Sequence, residues 1–148
     1  MESKRRVGVD SNILVAGILS EWGAAKGILI LAATQVFTLV LLSPVEKEVE
    51  RAIASTARGQ VTLKRLLELC RPERHPVPLA AEIHSARRFL PVLRHSNDLP
   101  VLASALVARP DWFVSDNTAH FGPDLAAATG LHILTSSDFL RRLIVPVP

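Results

Sequence analysis

Four carboxylates, Asp10, Glu48, Asp98 and Asp116, stand where the residue pattern ends a strand or begins a helix. Two of them close apolar strands directly, in Val7-Gly8-Val9-Asp10 and in Trp112-Phe113-Val114-Ser115-Asp116. A carboxylate at the end of a buried strand is costly, because burial disfavours its ionised form and like charges repel. Gathered in one place, such groups require a cation, and ligands that are all oxygen select a hard divalent ion, Mg²⁺ or Mn²⁺. That ion leaves positions open for water and phosphate, lowers the pKa of a bound water and stabilises charge developing on phosphorus. The chemistry is phosphodiester hydrolysis, and it needs no dedicated side-chain nucleophile. The chain has no tyrosine and no phosphate-cradling glycine loop.

The elements that must position these acids alternate strand and helix, the pattern of a parallel sheet covered on both faces. A first strand is predicted over Arg6–Asp10, followed by helices over Ser11–Leu19 and Glu21–Ala33 and a buried strand over Val36–Leu42. Ser43-Pro44 then reads as a helix start, with serine at the cap and proline in the first turn, and that helix carries Glu46, Glu48 and Glu50 towards Ser55. Apolar spacing predicts a helix over Gln60–Leu69, and the prolines of Arg71–Pro78 predict a loop. Further helices are predicted over Leu79–Leu90 and from Asp98, as cap, to Ala108. Strands over Asp111–Asp116 and His132–Leu134 and a closing helix over Ser136–Leu143 complete one α/β domain spanning residues 1–148. Ligands of an open α/β sheet bind beyond the carboxyl ends of its strands, which is where Asp10 and Asp116 fall.

Each acid also has a plainer role. Asp10 and Asp98 are good helix caps, and Asp116 in Ser-Asp-Asn is an ordinary turn residue. Glu48, flanked by Glu46 and Glu50, is by default exposed, although it borders the core face marked by Val45 and Val49. Asn12 and Asn117 stand beside the acids, able to orient water or phosphate oxygens or to stabilise their own turns. The five histidines show no HxxxH or HxH spacing, and His120 is expected to be structural. Cys70, the single cysteine, follows Leu66, Leu67 and Leu69 and is expected to be a buried thiol; it excludes an intrachain disulfide and a cysteine zinc cluster.

A hydrophobic content of 49% against 21% charged residues fits a globular chain. The net charge is +3, and setting the four acids aside leaves 17 basic against 10 acidic residues. A basic exterior around an acidic centre suits a polyanion such as RNA, with Arg5, Arg6, Arg87, Arg88 and Arg94 as candidate phosphate contacts. Lys4-Arg5-Arg6 opens like a signal peptide, but Asp10, Ser11 and Asn12 interrupt the apolar stretch. The most apolar run, Gly27–Leu42, is shorter than the roughly 20 residues of a spanning helix. A soluble, cytoplasmic protein without a membrane segment is the expectation.

These residues, in this order, resemble PIN-domain nucleases. Val7-Gly8-Val9-Asp10-Ser11-Asn12 is similar to that family's opening strand and turn, Ser43-Pro44 with Glu48-Val49 to its second acidic element, and Asn97-Asp98-Leu99-Pro100 to its third. Phe113-Val114-Ser115-Asp116-Asn117 and Ile133-Leu134-Thr135-Ser136-Ser137-Asp138-Phe139 resemble its last acidic strand and closing helix. The resemblance implies a three-layer α/β/α sandwich with a central, mostly parallel sheet. It also implies a Mg²⁺- or Mn²⁺-dependent endoribonuclease using Asp10, Glu48, Asp98 and Asp116, with Asp10 and Asp116 on the principal metal. Many small stand-alone members are toxins of the VapC type, commonly homodimers neutralised by an antitoxin protein. Asn97 stands where many relatives have a further acid, and Glu46 or Glu50 is the alternative to Glu48. The rival readings are a catalytically silent PIN-like module that binds RNA or a protein partner, and a phosphoryl-accepting receiver domain. The receiver pattern calls for paired acids after the first strand and a late lysine, whereas Asp10 precedes Ser-Asn and no lysine follows Lys64.

Overall fold

The computed structural model describes residues 4–144. β1 (Arg6–Val9) leads into α1 (Ser11–Leu19) and α2 (Ala24–Ala33), then β2 (Thr38–Leu42), α3 (Ser43–Ala52), α4 (Ala57–Cys70) and β3 (Glu73–His75). α5 (Ala80–Ala86), a 3-10 turn at Arg87–Phe89, α6 (Leu90–Leu93), a second 3-10 turn at Ser96–Asp98 and α7 (Leu99–Ala108) follow. β4 (Trp112–Val114), α8 (Pro123–Thr129), β5 (Ile133–Leu134) and α9 (Ser136–Ile144) complete the order. The five strands form one parallel sheet in the order β3-β2-β1-β4-β5. α1, α2, α4 and α9 pack together on one side; α5 packs on α7 and α6 on α8 on the other, with α3 touching both α1 and α7. This is the α/β/α sandwich that the alternating pattern predicts.

Burial explains the strand composition. Val7, Val9, Leu39, Val40, Leu41, Leu42, Phe113 and Val114 are all buried, because helices cover both faces of the sheet and leave no polar-out alternation. Cys70 is buried at the end of α4 and burial raises its thiol pKa, so it is a core residue as expected. Among the described residues no single helix is long and apolar enough to cross a membrane.

Four local differences have physical causes. β3 lies inside the predicted loop; Glu73-Arg74-His75 has no apolar residue, and the strand exists because β2 offers it an edge to pair with. The helix predicted over Leu79–Leu90 breaks into two short helices around the 3-10 turn, since Pro91, in the first turn of α6, has no N–H to carry the ladder through. α8 was not expected, and its seven residues sit between Pro123 and the left-handed Gly130. Ser43 lies inside α3, with Leu42 at the cap, so the expected serine cap is absent.

Arg6 ties the amino ends of the strands together. Its Nε donates to Glu73 Oε1 at 2.9 Å, and its other guanidinium nitrogens reach Glu73 Oε2 and the carbonyls of Ala108 and Arg109. Arg5 lies with its guanidinium 5.1 Å from the centre of the Trp112 ring. Both residues begin the sheet at the edge opposite Asp10, and Arg6 is committed to Glu73 and two backbone carbonyls. The hydrogen bond from Arg6 holds the Glu73 carboxyl down at about 2, against an ordinary 4.5, with His75 assisting. A carboxylate with a depressed folded-state pKa contributes stability above its unfolded value and loses it as pH falls. Wild type is therefore expected to exceed Glu73→Gln in urea-unfolding stability at pH 7, by no more than about 1 kcal/mol for so exposed a pair. That gap should close between pH 4.5 and about 2; a gap that persists at pH 2 contradicts the assignment.

Candidate functional site

Asp10 follows the last residue of the central strand and is 6% exposed. Its backbone continues the β1–β4 pairing, with its N–H donating to the Val114 carbonyl at 2.9 Å, and it caps α1, whose first amide, Ser11 N–H, donates to Asp10 Oδ1 at 2.8 Å. The Ser115 hydroxyl, arriving from the end of β4, donates to Asp10 Oδ2 at 2.8 Å. Burial pushes the Asp10 carboxyl above its ordinary range. The Ser115 and Ser11 hydrogen bonds oppose that rise, and the nearby charges of Glu48 and Asp98 add to it.

Glu48 comes in from α3, and Ser11 Oγ donates to its Oε2 at 2.7 Å. Ser11 thus contacts both acids, through its amide and its hydroxyl. Neither neighbouring glutamate takes this place: Glu46 pairs with Arg74 at 2.9 Å and Glu50 is exposed. Asp98 ends the 3-10 turn before α7. It does not cap that helix with its side chain; its Oδ2 faces His120 Nδ1 at 2.5 Å, off the axis of a directed hydrogen bond.

Asp116 is not among the charges that act on Asp10. Its Oδ1 accepts from Ser136 N–H and its Oδ2 from Ser136 Oγ, each at 2.8 Å, and it is exposed. It binds the first amide of α9, where a helix dipole favours a carboxylate. The Asn117 amide donates to Ser115 Oγ at 3.1 Å, bracing the hydroxyl that holds Asp10. Asn12 Oδ1, in the first turn of α1, is buried without a protein partner. His120, expected to be structural, stands on Asp98 and stacks on His95, ring centres 3.6 Å apart and planes 20° apart. Residues 95 and 120 share no periodic pattern in the sequence, so only the folded chain reveals the pair. Between α3 and the 3-10 turn before α7 lies an open cleft of about 630 Å³, lined by Glu48, Arg51, Ser96, Asn97 and Pro100.

The donor set fits a hard divalent cation in kind: three coupled carboxylates and orphaned buried oxygens on Asn12 and Asp98. As the side chains lie, no three His, Cys, Asp or Glu residues among those described come close enough to grip a metal together.

The sheet order, the helical layers and this edge define a PIN-like fold. The chain is similar in structure to VapBC2 from Rickettsia felis, solved bound to a DNA fragment from their promoter, with a TM-score of 0.64 and 18% identity over 88% of this chain and 98% of that one. FitAcB from Neisseria gonorrhoeae matches with a TM-score of 0.59 and 15% identity over 88% and 98% of the two chains. PAE2754 from Pyrobaculum aerophilum matches with a TM-score of 0.56 and 15% identity over 96% and 98%. No family model and no curated protein matches the sequence.

A buried carboxylate whose pKa is raised by folding costs stability progressively as pH rises from its ordinary value through the raised one, and the full cost stands above both. Asp10→Asn keeps an acceptor for Ser11 N–H and removes the charge. In EDTA at pH 7 it is expected to melt roughly 2–4 °C above wild type, the shift about 1 kcal/mol produces in a chain of this size. A lower melting temperature for Asp10→Asn in calorimetry would refute the electrostatic reading of the cluster.

Proposed function

We propose that this protein is a metal-dependent endoribonuclease whose carboxylates Asp10, Glu48 and Asp98 hold Mg²⁺ or Mn²⁺. The observation that carries the reading is the buried Asp10, destabilised by its own burial and by Glu48 and Asp98, at the carboxyl edge of a PIN-like sheet. When bound, the ion supplies an activated water and neutralises charge building on the scissile phosphate. The chain's own residues position the ligands: Ser115 and the Ser11 amide fix Asp10, and the Ser11 hydroxyl fixes Glu48. Asn12 offers a free acceptor in the same turn, and the cleft beside Glu48 admits a strand with Arg51 on its wall. Asp116 and Asn117 act one step back, Asp116 by seating α9 and Asn117 by bracing Ser115.

The same reading makes the chain a VapC-type toxin working in the cytoplasm as a homodimer and neutralised by an antitoxin. Its likeness to VapBC2 and FitAcB supports this. So does apolar surface left in water around the α1–α2 corner at Leu19, Trp22 and Ile30. The alternative, a catalytically silent module that binds RNA or a protein, is favoured by two observations: among the described residues no three acids close on a metal as they lie, and Asp116 is committed to Ser136.

The test is cleavage of a mixed RNA panel with Mg²⁺ or Mn²⁺, against EDTA and Asp10→Asn. Cleavage that vanishes in EDTA and in Asp10→Asn supports the nuclease, and Ser115→Ala is then expected to lower the rate about 10–100-fold by loosening Asp10. Folded, antitoxin-free protein that cuts in neither metal leaves the silent module.

A further inference from the structure

We infer that His95, next in the chain to the residues that line the cleft, is a nucleobase platform on which one unpaired base of an RNA strand stacks. The inference rests on the nuclease reading for its substrate and adds the element that grips it. His95 is exposed although one of its faces is covered by His120 at 3.6 Å, so its opposite face is open to a ligand. The covered side is backed by His120, which stands in turn against Asp98. The His95 carbonyl accepts from Asp98 N–H at 3.0 Å, which fixes the platform and the acid in a single turn. Arg94, immediately before, adopts φ +68 as it ends α6, a conformation that non-glycine residues take at some cost. Ser96 and Asn97, immediately after, line the cleft that Glu48 and Arg51 share. An open aromatic face, an adjacent cation and a groove leading to carboxylates together form a single-strand site, in which bases stack and phosphates meet arginine. A duplex keeps its bases stacked on each other and has none to offer.

The test measures binding in EDTA, where no cutting occurs, using short single-stranded RNA carrying 2-aminopurine, the same strand with one abasic position, and a duplex. Wild type is expected to quench 2-aminopurine and to prefer single strand over duplex. His95→Ala should weaken single-strand binding about tenfold and abolish the quenching, while His95→Phe restores both. The abasic strand should bind wild type and His95→Ala alike. Equal binding of normal strand by wild type and a folded His95→Ala overturns the platform, as does failure of His95→Phe to restore it. If metal-dependent cutting persists while His95→Ala binds normally, the platform alone has failed. If His95-dependent binding occurs without any metal-dependent cutting, the nuclease reading alone has failed. Wild type that binds no single-stranded RNA but captures a protein partner on this face overturns the platform.

Discussion

Everything at the carboxyl edge depends on one buried carboxylate held by two neighbours. Asp10 ends the middle strand of a sheet ordered β3-β2-β1-β4-β5, and it is tied to β4 through its own N–H and through Ser115. The chain leaves β1 towards β2 on one side and leaves β4 towards β5 on the other, so β1 and β4 flank the point where the order reverses. Crevices open at such points because the connections diverge to opposite faces. Asp10 is therefore placed by topology, and its two hydrogen bonds keep an ionisable group in a position that burial alone would reject.

The distribution of the other acids follows from that cost. Glu48 and Asp98 approach closely enough to raise the Asp10 pKa; the Ser11 hydroxyl holds Glu48, while His120 only stands beside Asp98. Asp116 is spared the conflict. Its carboxylate satisfies the amide and hydroxyl of Ser136, an arrangement that seats the closing helix and leaves the charge exposed to water. Three acids share strain at the crevice, and the fourth secures the element that closes the sheet's far side.

The parallel sheet was legible because fully buried strands leave continuous apolar runs, and β1, β2 and β4 carry such runs. β3 left none: its residues are Glu, Arg and His, and its existence depends on an edge supplied by β2 and an ion pair supplied by Arg6. Asp10 and Asp98 stood out because a strand end and a helix start are local signals, whereas Glu48 lies in the middle of α3. The partners of these acids did not stand out. Ser115 meets Asp10, and His120 meets Asp98 and His95, across gaps in the chain that no periodicity spans. The one signal for Ser115 was its place beside Asp116 at the end of an apolar strand, which drew attention to the acid rather than to the hydroxyl. Asp98 shows the same limit in reverse, since a good cap residue in the right place turned its side chain to a histidine instead.

Charge adds a last constraint. The chain carries more basic than acidic residues, yet Arg6 is consumed by Glu73 and Arg5 lies over Trp112, both at the edge away from the crevice. A polyanion approaching the three acids meets repulsion unless a cation has neutralised them, and the arginines at the far edge are too remote to help. Attachment at the crevice must then come from groups that border it without belonging to it. Arg51 on the cleft wall offers charge, and the open face of His95 offers a surface whose attraction for a base needs no charge at all. On the proposed reading, such an edge would hold a nucleic-acid strand by its base and its flanking phosphate and leave the acids to the ion, which would separate holding the strand from cutting it.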